Sequence, residues 1–124
     1  MTRRFARCLG GARIHEAAPE SNWKIVTILG AMTKRQDFAV FRNSLSVAGV
    51  DGTLKDRMRG TKAAGNVHAK TGTLSAASCL SGYVTSADRH ALVFAILMNG
   101  SALPLARAQA AQDAIAEILA RSRP

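Results

Sequence analysis

The sequence predicts an α+β fold in which an antiparallel sheet is flanked by helices. Three observations predict it. Apolar residues recur at helical spacing near residues 22–35, extended patterning fills residues 67–98, and a second helical stripe closes the chain over residues 103–121. With 48% hydrophobic and 20% charged residues over 124 positions, the composition is that of a chain that packs a core. At this length, folding buries roughly 65–70% of the surface that an extended chain exposes.

Residues 1–20 mix Arg, Gly, Ala, His and Pro without a steady period, so they read as a poorly ordered N-terminal arm before a domain over 21–124. Within that domain, helices are expected across 22–59. The first runs over 22–35, where Trp23, Val26, Ile28, Leu29 and Met32 recur behind Ser21 as N-cap. Phe38 and Phe41 carry the apolar side into a short second piece. The turn-rich segment 46–52 ends at Asp51, placed to cap a short helix through Arg59 whose Leu54 and Met58 share a face. Gly60 and Gly65 then interrupt the chain before it becomes extended.

Strands are expected at 67–73, 80–85 and 91–98, with the polar linker 86–89 joining the last two as an antiparallel hairpin. The run Ala-Leu-Val-Phe-Ala-Ile-Leu-Met is apolar on both faces, which requires cover on both sides of the sheet. One cover is the closing helix, opened by Asn99-Gly100-Ser101 and Pro104 and striped by Leu105, Ala108, Ala111, Ile115, Ile118 and Leu119. For the other face, a segment outside the chain is favoured over the early helices.

Charge and cysteine usage narrow the function classes. Seventeen Lys and Arg against eight Asp and Glu give a formal charge of +9, which favours anionic partners. The basic residues are scattered, without a run of five or interleaved aromatics, which argues against nucleic acid. Cys8 and Cys79 form no C-x-x-C spacing, and His15 and His90 lack ligand-spaced partners, so no metal is expected. Arg7 and Arg13 interrupt any apolar stretch behind the basic start, so no export signal is visible. The eight apolar residues 91–98 are far short of the roughly 20 that a transmembrane helix needs.

Chemistry concentrates in Lys70-Thr71-Gly72-Thr73. In a strand, His68, Lys70 and Gly72 share one face while Val67, Ala69 and Thr71 share the other. An ammonium beside a position without a side chain, with hydroxyls nearby, suits an anionic ligand lying close to the backbone. The tripeptide alone is a weak signal. Its context is specific: Ser-Leu-x-Val-Ala-Gly-Val-Asp-Gly-Thr-Leu lies upstream at 44–54, and Thr-Leu, Ser-Gly-Tyr-Val and Met-Asn-Gly lie downstream.

This pattern, over about residues 23–120, resembles the C-terminal part of the penicillin-binding serine-type D-alanyl-D-alanine carboxypeptidases and endopeptidases. The resemblance implies a C-terminal fragment of the β-lactamase/transpeptidase-like fold, with the Lys-Thr-Gly strand lining the active-site cleft. It implies hydrolysis of peptidoglycan peptides ending in D-Ala-D-Ala through an acyl-enzyme, without a cofactor, in the periplasm, with β-lactams as possible ligands of the parent protein. In that family a Ser-x-x-Lys serine attacks and a Ser-x-Asn element assists proton movement. By carry-over, Lys70 supplies positive potential, the Thr71 and Thr73 hydroxyls meet the substrate carboxylate, and the Thr73 N–H serves the oxyanion hole.

Two departures shape the expectation for this chain. It contains no Ser-x-Asn triplet. Its literal Ser-x-x-Lys, Ser21-Asn22-Trp23-Lys24, puts Lys24 only 46 positions before Lys70, whereas inserted domains separate these elements in the family. Ser21 and Lys24 are therefore secondary candidates, and the chain is expected to carry the wall without the nucleophile. Asp51 reads as a cap in preference to a cleft carboxylate, His68 as a surface residue in preference to polar trim of the cleft, Trp23 as core, and Ser44, Ser46, Ser75 and Ser81 as structural. The alternatives are an inactive remnant whose uncovered sheet face self-associates, or a small basic module binding anionic polymer.

Overall fold

The computed structural model describes residues 6–9, 12–15, 20–74, 77–99 and 104–124. Helix α1 spans Glu20–Met32 and α2 spans Phe38–Ser44. Strands β1 (Ala6–Leu9), β2 (Ala12–His15), β3 (Ser46–Val47), β4 (His68–Leu74), β5 (Ala77–Thr85) and β6 (Ala91–Asn99) form one sheet in the order β1-β2-β6-β5-β4-β3. Helix α3, Leu105–Arg121, closes the chain.

The centre of the sheet is the antiparallel meander β4-β5-β6. Its registers run from His68↔Tyr83 to Leu74↔Ala77 and from Ala77↔Asn99 to Thr85↔Ala91. Between β5 and β6, the Arg89 N–H donates to the Ser86 carbonyl (3.0 Å) and Ser86 Oγ accepts from the His90 N–H (2.9 Å), which closes the expected hairpin.

Alternation along these strands divides two cores. Leu80, Val84, Leu92 and Phe94 face α3, while Tyr83 and Val93 face α1 and α2. The favoured expectation of an outside cover for the second face is thus corrected: the early helices supply it. Val26 and Leu29, one turn apart on α1, are buried there with Trp23 packed against them. The rings of Phe38 and Phe41 meet Tyr83 edge-on, with centroids 5.1 and 6.3 Å away. Leu29 belongs to the last four residues of α1, whose carbonyls lack helical partners, and the buried Tyr83 hydroxyl donates to its oxygen at 2.7 Å. Burial pushes the Tyr83 pKa up to about 12.

Other expectations need correction. The stretch read as an arm contains β1 and β2, which pair antiparallel; β2 adds to β6 in parallel at Ala12↔Ala91 and Arg13↔Leu92. Pairing with a distant edge needs no local periodicity, so the sequence did not announce it. Helix α1 begins one residue before Ser21, which therefore lies in its first turn and not at its cap. The helix expected to run from Asp51 to Arg59 is a single 3₁₀ turn, Gly52–Leu54. Asp51 makes no cap bond there and instead accepts from the Val47 N–H at 2.8 Å.

On α3 the buried stripe is Ala108, Gln112, Ala116 and Ala120, while Leu105, Ile115 and Ile118 are exposed. Small side chains at four-residue spacing bring the helix close to the sheet, and Gln112 belongs to that stripe because it is hydrogen-bonded.

Candidate functional site

Strand β4 carries the site, and its position follows from its two neighbours. On one side β5 pairs with its whole length. On the other, β3 pairs only with His68 and Ala69. The Ala48 N–H donates to the Val67 carbonyl at 3.0 Å, and hydrogen-bonding direction alternates along an antiparallel ladder. The backbone groups of Ala69, Thr71 and Thr73 therefore point toward the β3 side. Among the described residues no strand pairs with Thr71 or Thr73 there, which leaves a short open edge of donors and acceptors.

Lys70 stands at that edge, exposed, and its ammonium donates to the Thr71 carbonyl. Thr73 is exposed and Thr71 half-buried. The expected division of faces holds, with Lys70 and Gly72 on the α1 and α2 side of the sheet and Thr71 and Thr73 on the α3 side. A methyl group at Gly72 would lie 2.5 Å from Cys79 Sγ, so the bare position also relieves the neighbouring strand.

The Thr71 hydroxyl is held from behind. Its Oγ1 donates to Thr53 Oγ1 in the 3₁₀ turn at 2.9 Å. Ser46 Oγ accepts from the Thr53 N–H at 3.3 Å and lies 3.4 Å from the Thr53 hydroxyl. Thr53 was not singled out from sequence and Ser46 was set aside as structural, although both belong to the specific block 44–54. That block was the available signal.

A second support lies behind Thr73. Ser78, its register partner on β5, accepts from the buried Gln112 Nε2 at 3.1 Å. The Gln112 oxygen accepts from Arg57, which also binds Asp113 at 2.6 Å and the Gln109 carbonyl at 3.2 Å. No sequence pattern pointed to Arg57, Gln112 or Asp113, because their contacts span from 34 to 56 positions.

His68 is half-buried and not a surface residue. Burial, then the positive charge of Arg42, lowers its pKa below the usual 6.5, partly offset by the nearby Arg42 backbone and by Asp51. Helix α1, with Ser21 and Lys24, lies over β6, β2 and β5. Ser75 falls outside the described residues. A cavity of about 360 Å³, lined by Thr33, Phe38, Arg42, Asn66, Tyr83 and neighbours, includes none of residues 70–73. Among the described residues no group of three or more His, Cys, Asp or Glu is placed to hold a metal. No helix among them is long and apolar enough to cross a membrane.

What this edge can do chemically is bind: a cation, hydroxyls and unpaired backbone N–H groups face outward together, the equipment for an extended peptide with an anionic end. A curated D-alanyl-D-alanine carboxypeptidase from Actinomadura sp. (strain R39) is 46% identical over 101 residues, covering 77% of this chain and 18% of the relative. Penicillin-binding protein 4 from Haemophilus influenzae matches in structure with a TM-score of 0.69 and 25% identity, covering 82% of this chain and 24% of that one. A predatory peptidoglycan endopeptidase from Bdellovibrio bacteriovorus shares the fold, with a TM-score of 0.59 and 19% identity over 92% of this chain and 29% of its own. The chain thus spans between about a fifth and a third of the length of these proteins. Residues 21–122 match the D-Ala-D-Ala carboxypeptidase 3 (S13) family, and the chain belongs to that family.

Proposed function

We propose that this chain forms the C-terminal part of a periplasmic serine-type D-Ala-D-Ala carboxypeptidase or endopeptidase and supplies the substrate-facing wall of its cleft. The observation that carries this reading is the open edge at Thr71 and Thr73, flanked by the Lys70 ammonium. A peptide ending in D-Ala-D-Ala pairs with that edge as an added strand. Its carboxylate is drawn to Lys70 and the threonine hydroxyls, and the Thr73 N–H is directed at the oxygen that gains charge as the carbonyl is attacked.

In this reading the acylating serine lies in another segment. The sequence holds no Ser-x-Asn, and Ser21 sits on a helix packed over β6, β2 and β5. Lys70, Thr71 and Thr73 can orient an acyl group but cannot form the ester. Incubation with a fluorescent penicillin, followed by denaturing electrophoresis, is expected to leave this chain unlabelled. A covalent band abolished by Ser21→Ala would assign the nucleophile to α1 and overturn the reading. The wall itself is checked by titrating the labelled chain with an acetylated D-Ala-D-Ala dipeptide: the Thr71 and Thr73 amide resonances are expected to move more than those of β6.

A further inference from the structure

The block 44–54 supplies no group to the wall itself, yet its turn reaches the wall by a defined route. At Gly52 the backbone is left-handed (φ +58°), and a side-chain carbon there would lie 2.3 Å from Ser46 Oγ. Only glycine allows the turn both that conformation and that approach. Just upstream, Asp51 anchors the same turn by accepting from the Val47 N–H. The consequence is the placement of the next residue: the Thr53 hydroxyl lies 2.9 Å from Thr71 Oγ1, with Ser46 Oγ behind it. A threonine on a strand has several χ1 wells open to it. Thr71, half-exposed beside an unpaired edge, has one hydroxyl contact that selects among them.

We propose that Thr53 is a positioning residue: in the free chain it accepts from Thr71 Oγ1 and fixes its rotamer, and when a carboxylate binds the two hydroxyls turn, Thr53 donating to Thr71 Oγ1 and Thr71 donating to the carboxylate, with Ser46 Oγ behind Thr53. The turn Asp51-Gly52-Thr53 is thereby a support for the Lys-Thr-Gly wall. For its ligand, the proposal rests on the functional reading above; for the geometry, it does not.

Both parts are tested on the full chain by NMR. Three-bond couplings are expected to report a single Thr71 χ1 rotamer in the native protein and in Thr53→Ser, which keeps the hydroxyl. In Thr53→Val, close in shape but without the hydroxyl, they are expected to report averaging. Amide resonances of β5 and β6 unchanged in Thr53→Val show that the fold survives. Should that variant not fold, Ser46→Ala, which leaves the Thr53 hydroxyl in place but unsupported, is expected to give partial averaging. A native-like single rotamer in Thr53→Val, or in Ser46→Ala if that is the variant that folds, overturns the proposal.

The ligand arm compares the acetylated D-Ala-D-Ala dipeptide with its C-terminal amide. Loss of the hydroxyl that fixes Thr71 and donates to it in the bound state predicts affinity for the carboxylate form weaker by about tenfold in Thr53→Val, restored in Thr53→Ser, with the amide form unaffected. Native chain that does not distinguish carboxylate from amide sinks the functional reading, while the rotamer result still decides the role of Thr53. Equal carboxylate affinity in native chain and Thr53→Val removes the role in binding.

Discussion

At Gly72 the constraint is steric and local. A methyl group would meet Cys79 Sγ at 2.5 Å across the β4–β5 ladder, so Gly72→Ala must displace the cysteine or part the strands. Overpacking of this kind costs about 1–3 kcal/mol. Urea unfolding is expected to show that loss, and Cys79→Ala in the same chain should recover much of it, because the clash then has no second atom. Two losses that simply add would remove this account. His68 makes a pH prediction. Its pKa is lowered in the folded state, so the proton binds the unfolded chain more tightly. The stabilising contribution is complete above about pH 6.5, the unfolded value, and is lost as pH falls from there through the lower folded value. The melting temperature is therefore expected to drop between pH 7.5 and 5, and His68→Gln should flatten the dependence over that interval.

Among the elements, α3 is held by polar contacts as much as by apolar burial. Its contact stripe is mostly alanine, and Gln112 within it joins Arg57 to Ser78. Arg57 is 12% exposed and serves three acceptors at once, a task suited to the planar guanidinium and not to a lysine ammonium. Arg57→Ala leaves Asp113 and the Gln112 oxygen short of a partner, at an expected cost of about 2–3 kcal/mol by chemical denaturation. Arg57→Lys should recover less than half. Since Ser78 is the register partner of Thr73, the loss should also appear as faster exchange of the neighbouring Gly72 amide, which faces β5.

For the molecule as a whole, two cores on opposite faces of one sheet share the strands β5 and β6, which predicts that neither melts alone. Trp23, the sole tryptophan, reports the α1 side, while far-ultraviolet circular dichroism reports all the helices and strands. Their urea transitions are expected to coincide. Separated midpoints would mean that α1 and α2 detach before the α3 side unfolds. In the same arrangement α1 and α2 occupy the sheet face for which an outside cover was expected.

The strands 67–73, 80–85 and 91–98, the closing helix and, through the blocks around Lys70-Thr71-Gly72, the family were legible in the sequence, because alternation, helical spacing and short motifs are properties of neighbours along the chain. Everything that depends on distant residues was decided by tertiary structure. Recruitment of Ala12–His15 to the edge of β6, the cover provided by α1 and α2, the burial of alanines on α3 in place of its larger aliphatics, and the supports from Thr53 and Arg57 all join segments far apart in the chain. Such contacts leave no period in the sequence. They form only when the folded chain brings a donor to an acceptor, or a small side chain to a neighbouring surface.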